Sequence, residues 1–242
     1  MLYIIFFVFL IYGDCCDAKV GANIKMMKYI ALIIFIVSTS VHLFASARKD
    51  KPLRDKTKPF ILLALLAFYC LCVNKIAWSV VLALIFSWLG DVLLIPKGIK
   101  WFTIGGISFM VSHFFFVLSY LKYIDFTKIN SLWIIMLGAF FFVLVCFIFS
   151  RLKPHLPKAL FYPMALYLLI NGTMNCFAIF RYLSEPSKGA LITVIGAILF
   201  FISDASLFFV RFKKDSRLKT HFLVMLTYSI GELLIVLGLI TK

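Results

Sequence analysis

GALITVIGAILFFISDASLFFVRF, residues 189–212, is an almost entirely apolar segment interrupted by one carboxylate, Asp204. About 20 helical residues cross the roughly 30 Å hydrocarbon core of a bilayer, so the segment predicts a transmembrane helix. Runs of similar length recur along the 242 residues, of which 64% are hydrophobic and 28 are phenylalanine. The sequence therefore predicts an all-α membrane protein.

Eight such segments predict an eight-transmembrane-helix bundle with short loops. The predicted spans are 29–47, 59–73, 75–95, 101–121, 131–150, 158–182, 189–212 and 219–241. We expect residues 28–242 to form a single transmembrane domain, because the loops leave no room for a soluble one. Residues 1–27 read as an N-terminal extension: their apolar run is too short to span, and Met26-Met27 before Lys28 would make a normal start.

The charge balance is strongly basic, with 25 Lys and Arg against 10 Asp and Glu. These basic residues lie in loops and at span ends beside aliphatic helices, which argues against nucleic acid and favours anionic membrane lipids as partners. Sixteen of them fall in the loops at 48–58, 96–100, 151–158 and 211–219. The positive-inside rule predicts that these loops are cytoplasmic. A bacterial inner membrane and the endoplasmic reticulum are both compatible with this topology.

Several other chemistries find no support in the sequence. There is no Ser nucleophile elbow, Gly-rich phosphate loop or HExxH pattern, and the four histidines do not form a convincing zinc site. Trp88 stands where the GxGD motif of presenilin-type proteases needs glycine. We therefore expect no metal or cofactor. The cysteines, which show no metal or redox spacing, are expected to be reduced packing residues: Cys15, Cys16, Cys70, Cys72, Cys146 and Cys176.

Three acidic residues lie inside predicted spans: Asp91, Asp204 and Glu232. An ionised side chain there costs about 2.5–3.5 kcal/mol even on the lenient insertion scale, so each needs a partner, water or a proton. They are candidates for function on that ground. The alternative is that each makes an ordinary polar contact between helices.

Asp91 and Asp204 share a local pattern of a small residue, Asp, two residues and Leu, in GDVLL at 90–94 and SDASL at 203–207. They lie on spans three and seven, and an offset of four helices keeps the same direction through the membrane. This pattern suggests a parallel four-helix repeat. By helical rise, the two carboxyls lie roughly 6 and 12 Å below the same basic interface, where they could meet.

Other polar residues recur at helical spacing, which predicts a lined cavity. The i, i+4 sets are Ser38 and His42; Ser87 and Asp91; Tyr167, Asn171 and Asn175; and Tyr228 and Glu232. His113, Asn171 and Glu232 are expected roughly 18–20 Å deep, near the midplane, at the narrow end of this cavity. For His42 or Asn175 alone, a hydrogen bond between helices is an equally good interpretation.

Six motifs together resemble the YhhN or lysoplasmalogenase family in order and spacing, over about residues 28–241. They are Lys58-Pro59, SWLGDVLL at 87–94, GGISFMVSH at 105–113, Tyr167 with Met174, GAILFFISD at 196–204 and YSIGELLI at 228–235. The resemblance implies an eight-helix integral enzyme without a metal. It would hydrolyse the vinyl ether of lysoplasmalogens, lysoplasmenylethanolamine or lysoplasmenylcholine, to a fatty aldehyde and a glycerophospho head group.

Vinyl ether hydrolysis begins when an acid protonates the β-carbon, which gives an oxocarbenium ion that water then attacks. Two close carboxyls can share one proton, so that one acts as acid and the other as anion and base; the sequence leaves open which of Asp91 and Asp204 does which. Lys58, Lys97 and Lys100 are candidate phosphate contacts; for Lys97 and Lys100, a role as topology signals only is an equally good interpretation. The other candidates are His113, Tyr167, Asn171, Tyr228 and Glu232 for substrate binding, and Ser87, Ser203, Asn175 and His42 for support.

Two other functions stay open at this stage. A proton-coupled carrier of a lipid or small solute would also use buried acids and repeated helices. Carriers often have broken helices, whereas the prolines here lie between spans or near span starts, which favours a rigid pocket. A polytopic scaffold, whose polar residues only join helices, is the third interpretation. Nothing in the sequence indicates the oligomeric state.

Overall fold

The computed structural model describes residues 22–213 and 221–241, with side chains from Met26 onward. Residues 1–21 of the predicted N-terminal extension lie outside the described residues. The described residues form eight α-helices and no strand. The helices are α1 (Ala22–Ala47), α2 (Lys51–Cys72), α3 (Trp78–Leu93), α4 (Ile99–Leu121), α5 (Ser131–Leu152), α6 (Phe161–Ser184), α7 (Lys188–Phe212) and α8 (His221–Ile240). Short 3₁₀ turns occupy Phe126–Lys128, Lys153–His155 and Lys158–Leu160.

The eight predicted helices are confirmed, and six in the described ranges are long and apolar enough to cross a membrane. The chain is a multi-pass membrane protein. The other two, α2 and α3, differ from the prediction. Helix α3 has only 16 residues, which span about 24 Å. Helix α2 has 22 residues, but its first eight are the charged segment KPLRDKTK, so its apolar part begins at Pro59.

Helix α2 starts eight residues before the predicted span because its charged segment is itself helical. Asp50 caps the helix by accepting a hydrogen bond from the backbone N–H of Leu53 at 3.1 Å. Lys51 and Asp55 form an i, i+4 ion pair at 3.7 Å. Pro59 therefore lies inside α2 instead of opening it. The early start places Lys58 on a rigid helix.

Six of the described helices contact one another in a closed cycle: α2, α3, α4, α6, α7, α8 and back to α2. Helix α1 packs outside this cycle against α2 and α8, and α5 packs outside it against α6 and α7. Among the six apolar spans, α5 buries the smallest share of its residues and α8 the largest. Polar side chains that face the inside of the cycle are thereby screened from lipid.

The contacts between helices repeat with an offset of four. The pairs α1–α2, α2–α3 and α3–α4 have counterparts in α5–α6, α6–α7 and α7–α8, and α4–α6 corresponds to α8–α2. This pattern agrees with the predicted parallel four-helix repeat. Asp91 on α3 and Asp204 on α7 occupy corresponding helices of the two halves.

Glycines set the rotation of the helices that carry the aspartates. A Cβ on Gly196 would lie 2.7 Å from the backbone nitrogen of Ile235, so α7 and α8 meet backbone to backbone. A Cβ on Gly90 would lie 2.6 Å from the ring of Phe109, which packs α3 against α4 immediately beside Asp91. These contacts determine which side chains of each helix point inward.

Candidate active site

A cavity of about 290 Å³ opens among α1, α2, α3, α4, α7 and α8, and both Asp91 and Asp204 line it. Its described wall contains six of the twelve predicted site residues: His42, Lys58, Asp91, Ser203, Asp204 and Tyr228. The wall also contains charged or titratable residues from the chain segments that were predicted to lie at the basic interface. They are Lys51, Arg54, Asp55, Lys97, Arg211 and His221. The two aspartates therefore share one cavity that has a basic mouth.

Asp91 lies in the last turn of α3 and is only 3% exposed. The Nζ of Lys58 lies 3.1 Å from its Oδ1, and the Tyr228 hydroxyl donates a hydrogen bond to its Oδ2 at 3.0 Å. Each carboxylate oxygen thus has a separate partner, one of them a cation. Such an arrangement stabilises the ionised form of a buried carboxyl.

Asp204 lies two turns before the end of α7 and is 5% exposed. The Tyr167 hydroxyl donates to its Oδ2 at 2.5 Å, and Nδ2 of Asn171 donates to the same oxygen at 2.7 Å. These donors are an i, i+4 pair on α6. His113 Nε2 lies 3.6 Å from Oδ2, beyond normal hydrogen-bond distance. All the polar contacts that described residues make with Asp204 therefore converge on Oδ2, and none of them involves Oδ1.

The other predicted site residues lie behind the cavity wall instead of on it. They are Ser87, His113, Tyr167, Asn171, Asn175 and Glu232, all buried. Their polar contacts form a layer beneath the aspartates: Asn175 Nδ2 donates to the backbone carbonyl of Asn171 at 3.0 Å, and the Ser87 and Ser112 hydroxyls are 2.7 Å apart. Glu232 is 0% exposed, and Ser87 is its polar neighbour, although no hydrogen bond of ideal geometry reaches its carboxyl oxygens from the described residues.

His42 and Ser203 line the cavity, but their polar contacts join helices. His42 Nδ1 lies 3.0 Å from the Thr57 hydroxyl, which links α1 to α2. Ser203 donates to the backbone carbonyl of Val224 at 2.8 Å, which links α7 to α8. Both contacts agree with the interpretation that such residues connect helices.

Arg54 and Arg211 are among the cavity residues that sequence reasoning missed. A usable signal existed: Arg54 is four residues before Lys58, and Arg211 is seven after Asp204, so each lies on the same helix face as a predicted residue. Among the proposed phosphate contacts, Lys97 lines the cavity mouth, whereas Lys100 is exposed and outside its wall. Within the described residues, no group of three His, Cys, Asp or Glu could hold a metal ion.

Comparison with known proteins places the chain in a family. Searches of curated proteins and of solved structures found no match. A family model described as the YhhN family matches residues 53–239. The match includes Asp91, Asp204 and the residues that contact them, and it covers most of the sequence. The chain belongs to the YhhN family.

Proposed function

We propose that the protein is a lysoplasmalogenase, which hydrolyses the vinyl ether bond of lysoplasmalogens inside the membrane. Membership of the YhhN family supports a lysoplasmalogenase-type activity. The observation that carries the proposal is the pair Asp91 and Asp204, two buried carboxyls in one cavity with chemically different partners. Acid-catalysed vinyl ether hydrolysis needs one carboxyl that holds a proton and one that holds a negative charge.

Asp204 is the general acid in this proposal. Its two donors, Tyr167 and Asn171, are uncharged and both reach Oδ2, so Oδ1 is the oxygen that can carry the proton. The proton then resides on Oδ1, and Asp204 lines the cavity in which the substrate would bind. No Lys or Arg of the described chain lies within 4.0 Å of Asp204 to favour its ionised form.

Asp91 is the anion and the base. Its ion pair with Lys58 and its hydrogen bond from Tyr228 favour the charged carboxylate in a poorly hydrated place. A carboxylate beside an oxocarbenium ion stabilises the positive charge, as in glycosidases. The same carboxylate can take a proton from the attacking water.

The proposed steps return both carboxyls to their starting states. Asp204 gives its proton to the β-carbon, and the double-bond electrons form the new C–H bond, which leaves an oxocarbenium ion. Water adds to the α-carbon and loses a proton to Asp91, which yields a neutral hemiacetal. In the last step Asp91 protonates the glycerol oxygen while Asp204 accepts the hemiacetal proton. The C–O bond breaks and releases aldehyde and the glycerophospho head group.

The lining of the cavity suits a single-chain lipid. Apolar residues line the wall next to the aspartates: Leu94, Ile95, Phe102, Phe109, Leu207, Val224 and Met225. Basic residues stand at the mouth, where an anionic head group would lie. The vinyl ether of a lysoplasmalogen is attached to glycerol, between tail and phosphate, and it would therefore lie between these two regions.

The deciding experiment incubates the purified protein with lysoplasmenylethanolamine in detergent and measures fatty aldehyde. We expect aldehyde release by the wild type and none above background by an Asp91→Asn, Asp204→Asn double variant. In D2O, with rapid borohydride trapping of the aldehyde as the alcohol, the product should carry one deuterium at carbon 2. That label reports protonation of the β-carbon.

The matched control is Asp125→Asn, which removes a carboxylate from an exposed loop outside the cavity. It should keep wild-type activity, and gel filtration and thermal unfolding should show that all variants are folded. Full activity in the folded double variant would sink the mechanism. Aldehyde formed without deuterium at carbon 2 would do the same.

A proton-coupled carrier is the second candidate, and Glu232 is the observation that favours it. This third acid is buried beneath the cavity, has only Ser87 as a described polar neighbour and takes part in no step of the proposed hydrolysis. A carrier would move lysolipid or solute across proteoliposomes in response to a pH gradient and would release no aldehyde. The aldehyde assay therefore separates the two functions.

A further inference from the structure

We propose that Arg54 and Arg211 form a binding site for the phosphodiester of the lysolipid head group at the cavity mouth. This inference rests on the proposed function and identifies the residues by which the enzyme would recognise its substrate. Its ligand class is an organic phosphodiester, and its two guanidinium groups come from the two halves of the fold, on α2 and α7.

The positions of the two arginines follow from helical geometry. Arg54 precedes Lys58 by four residues on α2, so it lies one turn farther out on the same face as the partner of Asp91. Arg211 follows Asp204 by seven residues on α7, which is two turns farther out on the same face. Both line the cavity that holds the aspartates.

Within the described ranges, these arginines have no acidic partner, unlike two of their basic neighbours. Lys58 pairs with Asp91 and Lys51 pairs with Asp55. Among the described residues, no acidic group lies within 4.0 Å of Arg54 or Arg211. The Arg211 guanidinium lies 5.7 Å from the ring centre of Phe102, a contact that orients it in the mouth.

The spacing agrees with the dimensions of a lysoplasmalogen. Seven bonds separate its β-carbon from phosphorus, a distance of roughly 8 Å when extended. Two helical turns place Arg211 about 10 Å along α7 from Asp204, and the arginine side chain can cover the difference. A vinyl ether at Asp204 Oδ1 would therefore bring the phosphate to the arginines. Guanidinium groups bind phosphate oxygens through two parallel hydrogen bonds.

A substrate pair tests the site. Lysoplasmenylethanolamine carries the phosphate, whereas 1-O-alkenylglycerol keeps the vinyl ether and lacks it. For Arg54→Gln and for Arg211→Gln we expect kcat/KM on the phospholipid to fall about 10- to 100-fold, mainly through KM. On the phosphate-free lipid each variant should stay within about twofold of wild type. The matched control Lys56→Gln removes an exposed charge of α2 outside the cavity and should change neither value.

Equal losses on both substrates, or no loss on the phospholipid, would overturn the proposal. A second measurement does not depend on catalysis: calorimetric titration of the detergent-solubilised protein with glycerophosphoethanolamine, with inorganic phosphate as comparison. Wild type should bind the diester at least about tenfold more tightly than either arginine variant does. If inorganic phosphate binds as tightly as the diester, the site is not a lipid head-group site. If no aldehyde forms but this binding holds, the proposed reaction fails and the anion site stands.

Discussion

The surroundings of Asp91 and Asp204 are alike in layout and unlike in chemistry. Asp91, on α3, is contacted from the preceding helix α2 and from α8, the last helix of the other half. Asp204, on α7, is contacted in the same way from the preceding helix α6 and from α4, the last helix of the other half. At Asp91 the preceding helix provides Lys58, a cation; at Asp204 it provides Tyr167 and Asn171, which are neutral. A repeated framework thus gives two equivalent carboxyls partners of different charge, and the proposed mechanism assigns them different roles on that ground.

The largest expected effect comes from Asp204→Asn. Asparagine keeps the shape and can still accept from Tyr167 and Asn171, but it has no carboxyl proton to give. We expect kcat for aldehyde release to fall about 10³-fold, with little change in thermal stability. A variant that keeps more than a tenth of the wild-type rate would mean that Asp204 is not the general acid.

Asp91→Asn should reduce both activity and stability. It leaves the Lys58 ammonium without a counter-ion next to a buried amide, which we expect to cost about 3 kcal/mol of unfolding free energy. The rate should fall about 100-fold, because the anion and base are lost. Thermal unfolding and aldehyde release measure the two effects.

A second substitution separates those two effects. Lys58→Met added to Asp91→Asn removes the unpaired charge, so the double variant should recover most of the stability and none of the activity. Stability that stays low in the double variant would show that the Lys58 charge is not the cause. Recovered activity would remove Asp91 from the mechanism.

The two tyrosines provide a matched pair with smaller effects. Tyr228→Phe removes a donor to Asp91, and Tyr167→Phe removes one to Asp204. Hydrogen bonds to charged acceptors are stronger than those to neutral ones, so we expect losses in kcat/KM of about tenfold for Tyr228→Phe and about threefold for Tyr167→Phe. The reverse order would assign the negative charge to Asp204.

Glu232→Gln should have the smallest effect, within about twofold of the wild-type rate. The amide has the same shape, and Glu232 lies outside the cavity wall. The rate is measured by aldehyde release across a range of pH. A large loss, or a shifted pH profile, would put Glu232 on a proton path and would favour the carrier.

Most of the fold could be predicted from the sequence because hydropathy reports transmembrane helices directly. The two helices that differed from the predicted spans are α2 and α3, whose ends depend on interactions that hydropathy does not report. In α2 the charged segment Lys51–Lys58 is helical because of a capping residue and an ion pair, which a hydropathy window does not detect. Arg54 lies in this charged segment, so the sequence analysis treated it as a loop residue and did not predict it in the site.

The candidate site could be predicted only in part. The cost of burying acids identified Asp91 and Asp204, and helical spacing identified Tyr167 with Asn171. Whether a polar side chain faces a cavity or lies behind it depends on helix rotation. Close contacts such as Gly90 with Phe109 fix that rotation, and they involve residues far apart in sequence or in different helices. His113 and Glu232 were expected to line the cavity and instead lie beneath it.

Lys58 has a double position in α2: it is the last basic residue before the apolar segment that begins at Pro59, and it is the counter-ion of Asp91. A lysine at that boundary tends to remain near the polar interface, so the hydrophobic thickness of the bilayer acts on the same side chain that balances the site. Lipids with longer tails would shift the polar interface relative to Lys58 and so load the ion pair that it forms with Asp91. Catalysis would then respond to membrane thickness as well as to substrate, and the protein would work best in a bilayer matched to its shortened helices.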